Sequence, residues 1–96
     1  RLAAGEQLFE MGDPSDLVYI VDEGRIALFR PLATGGEELV VERGPGTYFG
    51  ELGPLLGLPR STSARAVEDT VLTGVGPQEF RRQRADTEGS DPKAPG

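Results

Sequence analysis

Two short stretches of this chain hold residues suited to gripping an oxyanion. Phe49-Gly50-Glu51-Leu52-Gly53 is followed, after a short loop, by Pro59-Arg60-Ser61-Thr62. A glycine lets backbone approach a ligand closely. A helix starting just after it leaves N–H groups unpaired and carries partial positive charge, which favours phosphate. Arg60 would add a permanently charged fork able to hold two oxygens at once. Ser61 and Thr62 offer hydroxyl or backbone N–H groups to further oxygens. Glu51, first in the helix, can accept a hydrogen bond from a sugar hydroxyl. Together they describe a pocket for a phosphorylated ribose. Singly each residue is ordinary: Gly-Glu is commonly a turn with a solvated acid, Arg60 a surface side chain, and Ser61-Thr62-Ser63 an exposed strand start.

Other chemistries fall to composition. The chain has no Cys and no His, which excludes a disulfide frame, a Cys- or His-type zinc site, and a nucleophilic triad built on either residue. The histidine metal site of the metal-binding cupins goes with them. Lys93 is the only lysine, so there is no P-loop, and Gly44-Pro45-Gly46 misses the third glycine of a dinucleotide fingerprint. Acidic pairs such as Asp22-Glu23, Glu37-Glu38 and Glu68-Asp69 read as solvated charge at turns and strand ends. The net charge of -6, from 10 basic against 16 acidic residues, opposes non-specific binding of nucleic acid, which rests on neutralising phosphates with many cations. Arg81-Arg82-Gln83-Arg84 lacks interleaved aromatics and reads as a solvated helix face. The longest apolar run, Leu17 to Val21, is far short of the ~20 residues of a membrane span. A small anionic ligand is not excluded, since a pocket can be positive on an acidic protein.

The elements that must position these residues are mostly strands. With 96 residues the chain has room for one domain. Its 14 glycines and 8 prolines, well above the average share of roughly 12%, are spread without period, as turns in a β-rich fold. Strands are expected at 7–9, 17–21, 25–30, 39–41, 48–49, 63–67 and 70–75, and turn signals about every ten residues read as a β meander. Apolar residues at Leu52, Leu55 and Leu56 are spaced for one or two helical turns, ended by Gly57-Leu58-Pro59. Pro77 suits the first turn of a second helix running through Arg84. Residues 85–96 form a polar tail with too little apolar surface to order itself. The chain opens on Arg1 rather than Met, as expected of a piece of a larger protein.

The sequence resembles the cyclic nucleotide-binding domain family, found in the bacterial catabolite activator protein, the regulatory subunits of protein kinase A and gated channels. The resemblance covers residues 1–84. It rests on Gly5-Glu6-x-Leu8-Phe9-x-x-Gly12-Asp13, Tyr19-Ile20-Val21-x-x-Gly24, Phe49-Gly50-Glu51-Leu52-Gly53 and Pro59-Arg60-Ser61. It implies a mainly β fold: an eight-stranded, jelly-roll-like β-roll with a short phosphate-binding-cassette helix and a short C-terminal helix. It also implies that Glu51 binds the ribose 2′-hydroxyl, that Gly50, Leu52 and Gly53 offer backbone around the sugar and cyclic phosphate, and that Arg60 pairs with the exocyclic phosphate oxygen, with Ser61 as a second phosphate contact. Gly12, Gly24 and Gly46 match turn positions. Two residues depart from the pattern. Pro54 replaces an apolar residue that has an N–H, and Thr62 stands where the family has a small alanine, its hydroxyl free either to crowd the pocket or to bond the ligand.

The resemblance implies a sensor rather than an enzyme: a domain that binds cyclic AMP or cyclic GMP, needs no cofactor or metal, and passes occupancy to a linked effector outside this stretch. Cytoplasmic exposure is expected, because both ligands are made there. Neither nucleic-acid binding nor membrane insertion is expected of this stretch itself. A hydroxyl after the arginine can favour guanine in some relatives, but Gly53 with Arg60-Ser61 looks like the bacterial cyclic AMP activator, and the balance leans to cyclic AMP. The resemblance also implies that the helix from Pro77 moves on binding, with Phe80 as its apolar contact. Two other classes stay open: a degenerate roll that has lost the nucleotide and serves as an interaction or oligomerisation module, and a sugar-modifying enzyme, which would need opposed carboxylates or a metal.

Overall fold

The computed structural model describes the backbone of residues 1–90, so the last six residues of the expected tail lie outside the described residues. The order is β1 (Gln7–Phe9), β2 (Val18–Glu23), β3 (Ile26–Pro31), β4 (Glu37–Arg43), β5 (Tyr48–Phe49), α1 (Leu52–Leu56), β6 (Ser63–Ala66), β7 (Val71–Val75) and α2 (Pro77–Ser90). Two antiparallel sheets face each other, one ordered β1-β6-β3-β4 and the other β5-β2-β7. Of consecutive strands, only β3 and β4 are hydrogen-bonded neighbours. The chain is therefore a roll, not the meander that turn spacing suggested. Alternating side chains and turn residues specify where strands begin and end, but not which strands pair.

The core lies between the sheets. Ile26, Leu28, Ala64 and Ala66 from the first meet Val21 and Phe49 from the second, with Leu8, Phe9, Tyr19, Val41 and Leu72 packed around them. Small alanines on β6 leave room for Phe49, which is buried at the end of its two-residue strand. That strand end is where the chain turns toward α1.

Among the described residues seven strands form, where the resemblance implies eight. Leu2 pairs with Thr70 as an isolated bridge, exchanging backbone hydrogen bonds of 2.8 Å in both directions. The pairing stops there because the chain turns at once: Glu6 N–H donates to the Ala3 carbonyl at 3.0 Å, and Gly5 has φ +85°. The second difference is at the other end. α2 continues to Ser90, so residues 85–90, assigned to the tail, are helical. Its first turn is docked, with Phe80 buried and edge-on to Tyr48 at 4.9 Å. Once a turn is fixed, each added residue gains a hydrogen bond at little further cost, even where the side chains are polar.

One glycine is demanded by close approach. Gly24 has φ +91°, and a Cβ there would lie 2.4 Å from the Asp69 carbonyl oxygen and 2.5 Å from Thr70 Oγ1. The buried Thr70 hydroxyl donates to the Glu68 carbonyl at 2.7 Å and accepts from Arg25 N–H at 3.2 Å, tying this corner together. We expect Gly24→Ala to cost about 2–5 kcal/mol from left-handed strain plus overpacking. Gly46→Ala, at φ +85° but with open space around it, should cost only the strain, about 1–2 kcal/mol. Urea denaturation of the two variants checks the contrast.

A second clamp spans the outer face of the first sheet. Arg65 on β6 lies over the Phe29 ring at 4.3 Å and forks onto both carboxylate oxygens of Glu37 on β4, at 3.0 and 2.8 Å. That hydrogen-bonded guanidinium lowers the Glu37 pKa below its ordinary value. A depressed carboxylate contributes stability above its unfolded pKa and loses it as pH falls through the folded one. Carboxyl NMR titration should place Glu37 below the usual glutamate range and return it to that range in Arg65→Gln.

Candidate functional site

The chain leaves β5 at Phe49 and bends through Gly50, at φ +73°. Glu51 takes helical angles as the residue preceding α1, with no side-chain hydrogen bond to the helix end. The opening N–H groups of Leu52 and Gly53 have no acceptor inside a helix by its geometry, and Pro54 has none to leave unpaired. Leu55 N–H already returns to the Glu51 carbonyl at 3.1 Å. The helix ends where Gly57 turns left-handed at φ 69°, and Leu58 N–H closes on the Gly53 carbonyl at 2.9 Å. Gly53 is fixed by contact: a Cβ would lie 2.0 Å from Ser15 Oγ, and that hydroxyl donates to the Leu58 carbonyl.

Arg60 is then brought back to this corner by its backbone. Its N–H donates to the Asp13 carbonyl and its carbonyl accepts from Gly12 N–H, both at 2.8 Å. The turn holding those two residues is itself closed by the Asp13 carboxylate, which accepts from Glu10 N–H at 2.9 Å. The guanidinium points inward and is only 5% exposed. Nη1 donates to the Gly50 carbonyl at 2.9 Å and Nη2 to the Leu17 carbonyl at 2.8 Å. It lies over the Phe9 ring at 4.2 Å, with Tyr19 at 5.5 Å. A Cβ at Gly50 would fall 2.6 Å from Nη1, so only glycine lets the guanidinium reach this place.

The electrostatics of this corner are unusual. No ion pair among the described residues uses Arg60, and its Nε–H is buried without a partner. Burial pushes its pKa below the ordinary value, against the pull of Tyr19, Asp16 and Asp13. Arginine nonetheless keeps its charge, so a whole cation is held at the wall of a cleft by carbonyl dipoles and aromatic faces. Desolvating a charge without a counter-ion is costly, and an anion in the cleft would relieve that cost.

The cleft has a volume of about 170 Å³. Gly50, Glu51, Gly53, Arg60, Ser61 and Thr62 line one side, and Leu28, Arg30 and Val40 line another. Six of the seven residues singled out by sequence thus meet around one space; the seventh, Leu52, is the first residue of α1. Ser61 is exposed and Thr62 half-buried. Three parts of the cradle are absent from the sequence reading: the Phe9 and Tyr19 rings, the Leu17 carbonyl, and the β3–β4 wall. An aromatic residue in each of two strands was visible, but not that they would converge on an arginine. A roomier groove, about 570 Å³, runs along Gly76, Pro77, Gln78, Glu79 and Arg82, where the charges of Glu79 and Arg82 pair with each other. α2 touches the cleft's helix directly: Arg81 Nη2 donates to the Leu55 carbonyl at 3.1 Å.

Among the described residues, no cluster of acidic side chains could hold a metal ion, and no helix is long and apolar enough to cross a membrane. Comparison with known proteins agrees with the geometry. The family profile for the cyclic nucleotide-binding domain matches residues 1–86. An uncharacterized ABC transporter ATP-binding protein of Mycobacterium tuberculosis is 50% identical over 83 residues, covering 86% of this chain and 25% of that protein. The Cyclic AMP receptor protein of Thermus thermophilus is 41% identical over 71 residues, covering 74% of this chain and 33% of that protein. This chain therefore spans about a quarter to a third of the length of these relatives. In three dimensions it superposes on the Thermus thermophilus Catabolite Activator Protein with TM-score 0.79 at 34% identity, covering 91% of this chain and 43% of that one. The cyclic AMP-bound form of the EAL enzyme Bd1971 gives TM-score 0.78 at 30% identity, covering 90% of this chain and 23% of that one. By its fold, its cassette and these matches, the chain belongs to the cyclic nucleotide-binding domain family.

Proposed function

We propose that this domain senses cyclic AMP and transmits its occupancy to an effector attached to it. The observation that carries the reading is the desolvated guanidinium of Arg60, without a carboxylate partner at the wall of the cleft. A cyclic phosphate diester carries one negative charge, which matches that one cation. A guanidinium has five N–H donors, and two are spent on the Gly50 and Leu17 carbonyls. The rest are free for phosphate oxygens, with Ser61 and Thr62 adjacent. Glu51, on the same cleft, accepts from the ribose hydroxyl.

Size supports a division of the ligand. The volume of about 170 Å³ is below the roughly 300 Å³ at which pockets begin to enclose drug-sized molecules. It suits the sugar and cyclic phosphate, leaving the purine toward the β3–β4 wall. Cyclic AMP is favoured over cyclic GMP by the likeness to a Cyclic AMP receptor protein. The domain performs no reaction of its own, and its setting is cytoplasmic, where cyclic nucleotides are made. The relative that is an ABC transporter ATP-binding protein favours a transport ATPase as the effector. Occupancy would reach it through α1 and then α2, since ligand can drive a shift only by contacting two states differently.

Isothermal titration with cyclic AMP tests the reading. Removing one partner of a buried charge pair costs about 2–5 kcal/mol, so Arg60→Ala should weaken binding about 30- to 4000-fold while thermal unfolding shows the fold intact. Glu51→Gln should lose less, because the amide oxygen still accepts from a hydroxyl. Flat titration of the unaltered chain with both cyclic nucleotides would instead identify a roll that serves as an interaction module. Amide NMR resonances of residues 78–83 should shift on saturation with cyclic AMP; unmoved resonances would end the proposed route through α2.

A further inference from the structure

The β3–β4 wall of the cleft carries its own pattern of donors and acceptors. Arg30 and Glu38 are direct partners across the two strands, while Leu28 pairs with Val41 and Phe29 with Leu39, which leaves Val40 as the extra residue of a bulge. A bulge bends its strand and re-aims side chains. Here it brings Val40, 44% exposed, to the cleft beside Leu28 and Arg30. Side chains two apart share a face of a strand, as do directly opposed pairs. Leu28, Arg30 and Glu38 therefore lie on the face that passes from the core out to the cleft.

Arg30 Nη1 and Glu38 Oε1 are 3.6 Å apart, and the side chains are 50% and 57% exposed. That separation is beyond hydrogen-bond length, so the two groups are neighbours whose donors and acceptors are not spent on each other. As an exposed ion pair alone they would add little stability. As a surface they present an N–H donor next to a carboxylate acceptor, above an apolar floor of Leu28 and Val40.

We propose that the Arg30–Glu38 pair reads the edge of the purine and selects adenine, which rests on the cyclic nucleotide reading above. The five-membered-ring edge of adenine shows an acceptor at N7 beside an amino donor at N6, whereas guanine shows acceptors at both N7 and O6. Arg30 can donate to N7 of either base and, in guanine, to O6 as well, so the discrimination falls to Glu38. Glu38 accepts from the adenine amino group but opposes the guanine carbonyl oxygen with its own negative charge. The preference for adenine thus comes from a repulsive element as much as from an attractive one.

Calorimetry with the 96-residue chain, using cyclic AMP, cyclic GMP and the cyclic AMP analogue with carbon at N7, tests the pair. A matched base-edge contact discriminates by about 5- to 150-fold. Glu38→Gln, whose amide can turn a donor toward O6, should cut the ratio of cyclic AMP to cyclic GMP affinity at least fivefold. The analogue should bind the unaltered chain at least fivefold more weakly than cyclic AMP, and Arg30→Leu should bind the two alike. Both side chains are half exposed, so the variants should retain the melting temperature of the unaltered chain. If both nucleotides bind and Arg60→Ala weakens them, but Glu38→Gln leaves their ratio within twofold or the analogue binds as cyclic AMP does, the base-edge assignment alone is overturned. If neither nucleotide binds the unaltered chain, the reading of the whole cleft fails and takes this assignment with it.

Discussion

A buried cation without a carboxylate is the constraint on which this small roll is arranged. Among the described residues Arg60 is the charged one most deeply withdrawn from water, and its terminal nitrogens rest on the carbonyls of Gly50 and Leu17 over the Phe9 ring. Each neighbour meets a requirement of that placement. Gly50 has no side chain because one would occupy the position of Nη1. Carbonyl dipoles and an aromatic face supply attraction without neutralising the charge, so the cation stays available to an anion entering from the cleft. A carboxylate in their place would have made a closed structural pair.

The fold delivers the pieces of this corner from distant parts of the chain. β1 supplies Phe9, β2 supplies Tyr19, the end of β5 supplies Gly50, and the return from α1 supplies Arg60. The order in which the strands lie side by side differs from their order in sequence, and this interleaving is what gathers them.

Much of this was legible in the sequence, for local reasons. β1, β5 and α1 lie where short-range patterns put them, because apolar spacing and Gly or Pro punctuation act within a few residues. Gly50-Glu51 and Arg60-Ser61-Thr62 could be assigned to one cleft mostly through the family resemblance, since each stretch alone reads as an ordinary turn or surface. What escaped depends on non-local pairing. The Leu17 carbonyl is 43 residues from its arginine, and carbonyls have no side-chain signature to read. The bulge at Val40 follows from a register between strands, not from its own alternating neighbours. The length of α2 escaped for another reason: its polar residues show little amphipathic signal, and their helicity follows from a first turn docked by Phe80.

The backbone ladder between Arg60 and the Gly12-Asp13 turn has a consequence beyond packing. It makes the arginine's main chain a rider on a turn whose own residues, Gly12 and Asp13, do not line the cleft. A small displacement of that turn would carry the charge toward or away from an incoming anion while every contacting group kept its chemical identity. Strength of capture can therefore be graded from outside the pocket, separately from the choice of what is captured.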